Sequence, residues 1–382
     1  MFHREMGELL NKEFRASIGN VYTPPEEQIL EFISTGVDAL DLAISNDQKG
    51  GYPVGRIIEI AGMEGTGKSA LAAKAIAETQ KAGGVGVYFD VEQSFHEGFF
   101  QMLGVNTDEW LHLDTLTTIE DIFLAIEKMV GKYREKTSDK VMTIVVDSIM
   151  GASTKHEEGE DYDLQGYNTQ KARLLSTAMR KLTPMINHQR IILICINQLR
   201  VNLGAMYGDK YTTSGGKAIP FHSSVRIFLN KVATLKPKKT AADPQTGNRI
   251  RATMKKNRLN APGRTVDMDF WYVSGFDSPG SMLSLAKRYK VVSQSGAWYK
   301  FEYTDVDSGE IIEQKFQSKQ IASLLEEKPE FKKQLYSAIT DAYVIEYKPS
   351  RSFGIDDIVV DTTIEVGDGL DSETQINDFT DE

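Results

Sequence analysis

The chain has 382 residues, 41% hydrophobic and 26% charged, the make-up of a globular protein with room for two or three domains. A single cysteine, Cys195, excludes an internal disulfide and a zinc site built on cysteines. No apolar run approaches the about 18 residues of a membrane span, and the N-terminal MFHREMGELL has no secretory core. A cytoplasmic, reducing setting and no membrane partner are therefore expected. The net charge of −10 is unevenly placed. Residues 352–382 hold ten Asp or Glu and no Lys or Arg, which leaves 44 charges of each sign in residues 1–351. The acidic excess is a tail, and such blocks are solvated and often serve as interaction segments.

In chain order, residues 1–34 read as a short, partly helical lead broken at Pro24-Pro25. The runs 56–61, 85–89, 142–146 and 191–196 are short and β-branched, with little polar alternation. Runs of that kind are strands buried on both faces. Helices are expected between them, over 69–81, 119–134 and 168–187. Such alternation predicts an α/β fold around a mostly parallel central sheet. After residue 222 the pattern changes. A strand is expected over 224–232, and a hairpin with arms 253–259 and 265–273 turns at Ala261-Pro262-Gly263. From about 276 a small α/β unit is expected, with a hairpin (298–303 and 311–316) and two helices (318–327 and 329–342). The domain reading is thus a lead to residue 34, a core over 35–275, a small C-terminal α/β domain over 276–350 and a disordered acidic tail over 351–382.

The chemistry begins at Gly62-Met63-Glu64-Gly65-Thr66-Gly67-Lys68-Ser69, followed by Ala70. The motif follows an expected strand and opens an expected helix, the context a phosphate loop requires. Its glycines let backbone N–H groups turn inward around phosphates, and the helix N-terminus adds positive potential. Lys68 would reach the β- and γ-phosphates, and Ser69 would ligate Mg²⁺. Asp147 closes an apolar strand, where a carboxylate can hold Mg²⁺ through water. Glu92 lies just past another strand end. It either orients the water that attacks the γ-phosphate or is a surface carboxylate. Phe99 and Phe100 either face the adenine or fill core.

The segment from Cys195 to Phe221, CINQLRVNLGAMYGDKYTTSGGKAIPF, leads from a strand end at Asn197-Gln198 into a long Gly- and Thr-rich loop. It resembles the second DNA-binding loop of the RecA/UvsX-type homologous recombinase family. Ile33-Ser34-Thr35-Gly36, Ala178-Met179-Arg180-Lys181-Leu182, Lys256-Asn257-Arg258 with Ala261-Pro262, and Ser295-Gly296-Ala297-Trp298-Tyr299 agree in order and spacing. The similarity covers about residues 33–345. It implies a RecA-type ATPase core, a polymerisation role for residues 1–34, and ATP with Mg²⁺ as cofactors. On matching positions, Glu92 becomes the catalytic carboxylate, Gln198 the γ-phosphate sensor at the root of the DNA loop, and Phe99 the aromatic on the adenine. Lys256 and Arg258 become cations that reach the ATP of a neighbouring subunit, like an arginine finger. The partners implied are single-stranded DNA, homologous double-stranded DNA and further copies of the chain in a helical filament.

DNA contact is expected from Arg173 and Arg180 on one helix, from Arg200, Lys217 and Arg226 around the loop, and from the backbone at Gly215 and Gly216. Met206 and Tyr207 would stack or wedge between bases. Two features depart from the resemblance. Asn202 and Pro220 replace lysines usual in bacterial RecA, and the first DNA loop, 157–163, is strongly acidic. The acidic tail either covers the DNA surface, recruits a single-strand-binding or loader protein, or only solubilises. The leading reading is a DNA-dependent ATPase that pairs homologous strands within a filament on single-stranded DNA. A hexameric helicase motor on the same fold and an ATP-gated scaffold are the alternatives.

Overall fold

A computed structural model describes residues 8–9, 12, 31–47, 49–136, 140–159, 167–201, 211–236, 244–306 and 308–344. These fall in a unit that ends at Val344, and the acidic tail lies outside the described residues, as does most of the N-terminal lead. The described chain opens with β1 (Phe32–Ile33), α1 (Asp38–Ser45) and β2 (Tyr52–Pro53). The core follows as β3 (Arg56–Gly62), α2 (Lys68–Lys81), β4 (Val85–Asp90), α3 (Glu97–Met102), β5 (Trp110–Leu113), α4 (Ile119–Lys136) and β6 (Met142–Asp147). Next come α5 (Lys155–Gly159), α6 (Tyr167–His188), β7 (Ile191–Val201), β8 (Tyr211–Thr213) and α7 (Ala218–His222). Strands β9 (Val225–Leu235), β10 (Gly247–Asn257), β11 (Thr265–Trp271) and β12 (Gly275–Phe276) complete the large sheet. The last elements are α8 (Ser278–Arg288), β13 (Ser293–Ser295), β14 (Trp298–Thr304), β15 (Ile311–Gln317), α9 (Ile321–Glu327) and α10 (Pro329–Tyr343).

The sheet order is β12-β11-β10-β9-β3-β7-β6-β4-β5, with β8 added beside β7. Pairs from β9 through β3, β7, β6 and β4 to β5 are parallel, and β9 to β12 are antiparallel. The β-branched runs are the middle of this sheet because both of its faces are covered. Ile58 and Ile60 of β3 face the apolar side of α2, whereas Ile57 faces the layer of α4 and α6 with Ile126, Leu175 and Met179. Cys195 is fully buried in this second layer, where desolvation pushes its thiol pKa up and makes it inert core.

Strand β10 starts at Gly247, earlier than the expected 253. Its first half carries Arg249 and Arg251, which pair across the hairpin with Asp269 and Asp267, both at 2.7 Å. Charged cross-strand pairs hold the register there, and a search for apolar runs passes over them. The three-stranded sheet β13-β14-β15 packs on α10 through Phe301, Phe316 and Phe331, and its core is continuous with that of the large sheet.

Register places the chemistry. The carboxyl ends of β3, β4, β6 and β7 lie side by side, with Asp90 opposite Asp147 and Gly62 opposite Gln198. In an open α/β sheet, that edge is where ligands bind.

Candidate nucleotide site and nucleic-acid surface

Between β3 and α2 the backbone turns through the Gly62–Ser69 motif. A Cβ on Gly62 would lie 2.4 Å from Thr66 Oγ1 and 2.7 Å from the Leu229 carbonyl, so no side chain fits. Gly67 caps α2 in the left-handed region at φ +82°, which glycine adopts without strain. Thr66 Oγ1 donates to the Met63 carbonyl at 2.8 Å, and Lys68 Nζ donates to the same carbonyl at 2.9 Å. Burial lowers the pKa of Lys68, while Asp147, Glu92 and Glu64 pull it back up.

An open cavity of about 510 Å³ lies over the loop, lined by Glu64, Gly65, Gly67, Lys68, Ser69 and Ala70, a volume suited to a nucleotide. Its far wall is Phe99, Phe270, Tyr272, Lys231, Gln245 and Asn248. Phe99 thus lines the cavity. Phe100 turns away into core, 3% exposed, with its ring edge-on to Tyr88 at 5.1 Å. Sequence reasoning missed the β10–β11 side of the wall. Asn248 Nδ2 donates to the Tyr272 hydroxyl at 3.1 Å, and Gln245 Nε2 donates to Asn248 Oδ1 at 2.6 Å.

Ser69 Oγ donates to Asp147 Oδ2 at 2.6 Å, so the two expected metal residues are adjacent. A hydroxyl and a carboxylate beside a phosphate site are the hard oxygen donors Mg²⁺ takes. No cluster of three His, Cys, Asp or Glu occurs among the described residues. Burial raises the pKa of Asp147, and hydrogen bonds from Ser69 and Tyr88 oppose the rise.

Glu92 stands exposed just past β4. The Asp147 carbonyl accepts from Val91 N at 2.8 Å, which joins this turn to the end of β6. Ser148 Oγ donates to Glu92 Oε1 at 2.5 Å, a contact sequence reading did not anticipate. Gln198 Nε2 reaches the same oxygen at 3.4 Å. Next to Gln198, buried Asn197 donates to Glu59 Oε1 at 2.9 Å and to the Ser214 carbonyl at 3.1 Å. Asn197 thus ties Ser214, on the far side of the Gly- and Thr-rich segment, to Glu59 of β3.

Met206 and Tyr207 lie outside the described residues, as does Asn202. Gly215 and Gly216 have φ of +88° and +76° and lie against Met150 and Ala172. Arg173, Arg180, Arg200 and Lys217 are exposed. Arg226 departs from the expectation of a free cation. Its register opposite Glu59 turns Nε onto that buried carboxylate, and NH2 donates to Thr213 Oγ1 at 3.2 Å. It supports the loop from below. Lys256 Nζ donates to the carbonyls of Pro220 at 2.8 Å and Phe221 at 2.9 Å, and Arg258 reaches the Phe221 carbonyl at 3.3 Å. Phe221 beside them is 69% exposed. The acids of the first loop that are described serve local bonds. Glu157 accepts from Thr154 N at 2.7 Å, and Glu158 accepts from Ser153 at 2.7 Å and Thr117 at 2.8 Å.

A family model, the RecA N-terminal domain, matches residues 8–277. The chain belongs to the RecA family. It is 36% identical to Protein RecA of Halalkalibacterium halodurans over 318 residues, which cover 83% of this chain and 84% of that one. Identity is 34% to the protein of the same name from Leptospira biflexa, over 78% of this chain and 74% of that one. It is 37% to that of Geobacter metallireducens, over 73% and 78%. Membership makes the chain an ATP-binding, DNA-binding recombinase with DNA-dependent ATPase activity. It also implies assembly into filaments, and a hexameric helicase is not favoured. No described helix is long and apolar enough to cross a membrane.

Proposed function

We propose that this recombinase hydrolyses ATP between adjacent subunits of a cytoplasmic filament, and that the nucleotide state sets its grip on single-stranded DNA. The phosphate loop and Lys68 bind the triphosphate, and Phe99 with Tyr272 holds the base. Ser69 and Asp147 would hold Mg²⁺, which neutralises charge on the β- and γ-phosphates when bound. Glu92 orients and deprotonates the attacking water. Lys256 and Arg258, on the exposed rim beside Phe221, supply charge to the neighbour's phosphates.

One observation carries the reading: Gln198 touches Glu92 and stands in β7 three residues before its last residue, Val201, after which the DNA loop would follow. A change at the γ-phosphate would thus have a short path along β7 toward that loop. Arg173, Arg180, Arg200 and Lys217 would contact the backbone of the strand, and pairing with homologous duplex DNA would supply sequence recognition. Residues 1–34 would join subunits, residues 276–350 would form the small C-terminal domain, and the tail of 351–382 would meet a loader or single-strand-binding protein. Phosphate release measured with and without single-stranded DNA tests the reading. DNA should stimulate it several-fold, and equal rates would refute the coupling.

A further inference from the structure

The Asp147 carboxylate has a second donor that neither the phosphate-loop motif nor the DNA loop accounts for. Tyr88, in the middle of β4, is 1% exposed. Its hydroxyl donates to Asp147 Oδ2 at 2.6 Å, the same oxygen that Ser69 reaches. The parallel register of β4 and β6 brings this about by pairing Tyr88 with Val145, two residues before Asp147. The ring is held in turn. It lies edge-on to Phe100 at 5.1 Å and tilted against Trp110 at 5.9 Å. A phenol at that place is not needed for packing, because phenylalanine has the same ring. A buried hydroxyl that lacks a partner is costly, so its presence points to the bond that it makes.

We propose that Tyr88 is a positioning residue for the metal carboxylate, its hydroxyl fixing the orientation of Asp147 through Oδ2. The inference rests on the reading of Ser69 and Asp147 as the Mg²⁺ residues. Outer-shell donors to a ligating carboxylate set its orientation, and losing one typically weakens metal affinity by about 10- to 100-fold. The locked ring makes Tyr88 such a donor without rotamer freedom to lose. It also joins the metal residue to α3, the helix that carries Phe99, through one aromatic contact.

The test is binding of a fluorescent ADP analogue to the full chain, with EDTA and across a Mg²⁺ titration, for the wild type and Tyr88→Phe. The wild type should bind more tightly as Mg²⁺ is added. Tyr88→Phe should bind the analogue equally well in EDTA but need about tenfold more Mg²⁺ for half of the effect. An unchanged Mg²⁺ midpoint overturns the role of Tyr88 while leaving the metal site standing. A wild type indifferent to Mg²⁺ overturns the metal assignment itself, and this inference with it. Should Tyr88→Phe lose binding in EDTA as well, the same titration on protein with 3-fluorotyrosine at position 88 decides. Its stronger donor should lower the midpoint, and no change overturns the proposal.

Discussion

Gln198 Nε2 donates to Glu92 Oε1 at 3.4 Å, across the carboxyl ends of β7 and β4. The two strands are not neighbours, since β6 lies between them. The contact therefore spans the middle of the sheet edge, with Ser148 from the end of β6 also on Glu92. A carboxylate held by two donors is oriented before substrate arrives. One of those donors, Gln198, lies in β7, the strand that leads toward the proposed DNA loop.

Glu92→Gln removes the proposed base and keeps the shape. ATP and DNA binding should persist, with kcat lower by about 10²- to 10⁴-fold. Single-turnover phosphate release alongside a nucleotide-binding titration separates the two effects. Near-normal turnover would remove Glu92 from the chemistry.

Phe99 and Tyr272 line the cavity over the phosphate loop and are the proposed base-holding rings. Phe99→Ala should therefore raise KM for ATP about three- to tenfold and leave kcat nearly unchanged, since a ring that holds ground and transition states equally acts on binding alone. Tyr272→Ala should do the same. Steady-state kinetics at saturating DNA checks both.

Arg173 and Arg180 are exposed cations on α6, and Arg226 is 18% exposed and paired with the fully buried Glu59. Their substitutions should fail differently. Arg173→Ala and Arg180→Ala should each lower the slope of log affinity for single-stranded DNA against log salt by about 0.7, the effect of one phosphate contact. Fluorescence anisotropy across a salt series measures it.

Arg226→Ala should instead destabilise the fold by about 3–5 kcal/mol, because it leaves Glu59 charged and unpaired in the interior. Urea unfolding reads this, and Glu59→Gln combined with Arg226→Met should restore most of the loss. A normal unfolding midpoint with weakened DNA binding would return Arg226 to the DNA surface.

The contrast between these arginines marks how far the sequence was legible. Buried strands announce themselves by runs such as Met142–Asp147, all six of whose residues are buried. The phosphate loop is likewise local, and so is its helix. What stayed hidden depends on which strands lie together. Glu59 and Arg226 are far apart in the chain and become partners only through the parallel register of β3 and β9. Tyr88 reads as one more apolar strand residue until β6 is placed beside β4. Asn248 and Gln245 sit among charged residues of a hairpin and gain meaning only when the fold brings them into the cavity lining with Phe99. Phe99 and Phe100 could not be told apart by type; the pitch of α3 sends one to the cavity and the other to core.

The most direct test of catalysis shared between subunits mixes two inactive variants. Lys68→Ala lacks a working phosphate loop but keeps Lys256 and Arg258. The double variant Lys256→Ala with Arg258→Ala keeps the loop and lacks the cations. Each alone should show little DNA-stimulated phosphate release. Mixed on single-stranded DNA, they form junctions in which one subunit's nucleotide meets its neighbour's intact cations, and activity should recover to a substantial fraction of wild type. A mixture no more active than the sum of its parts would contradict an active site built across the subunit boundary.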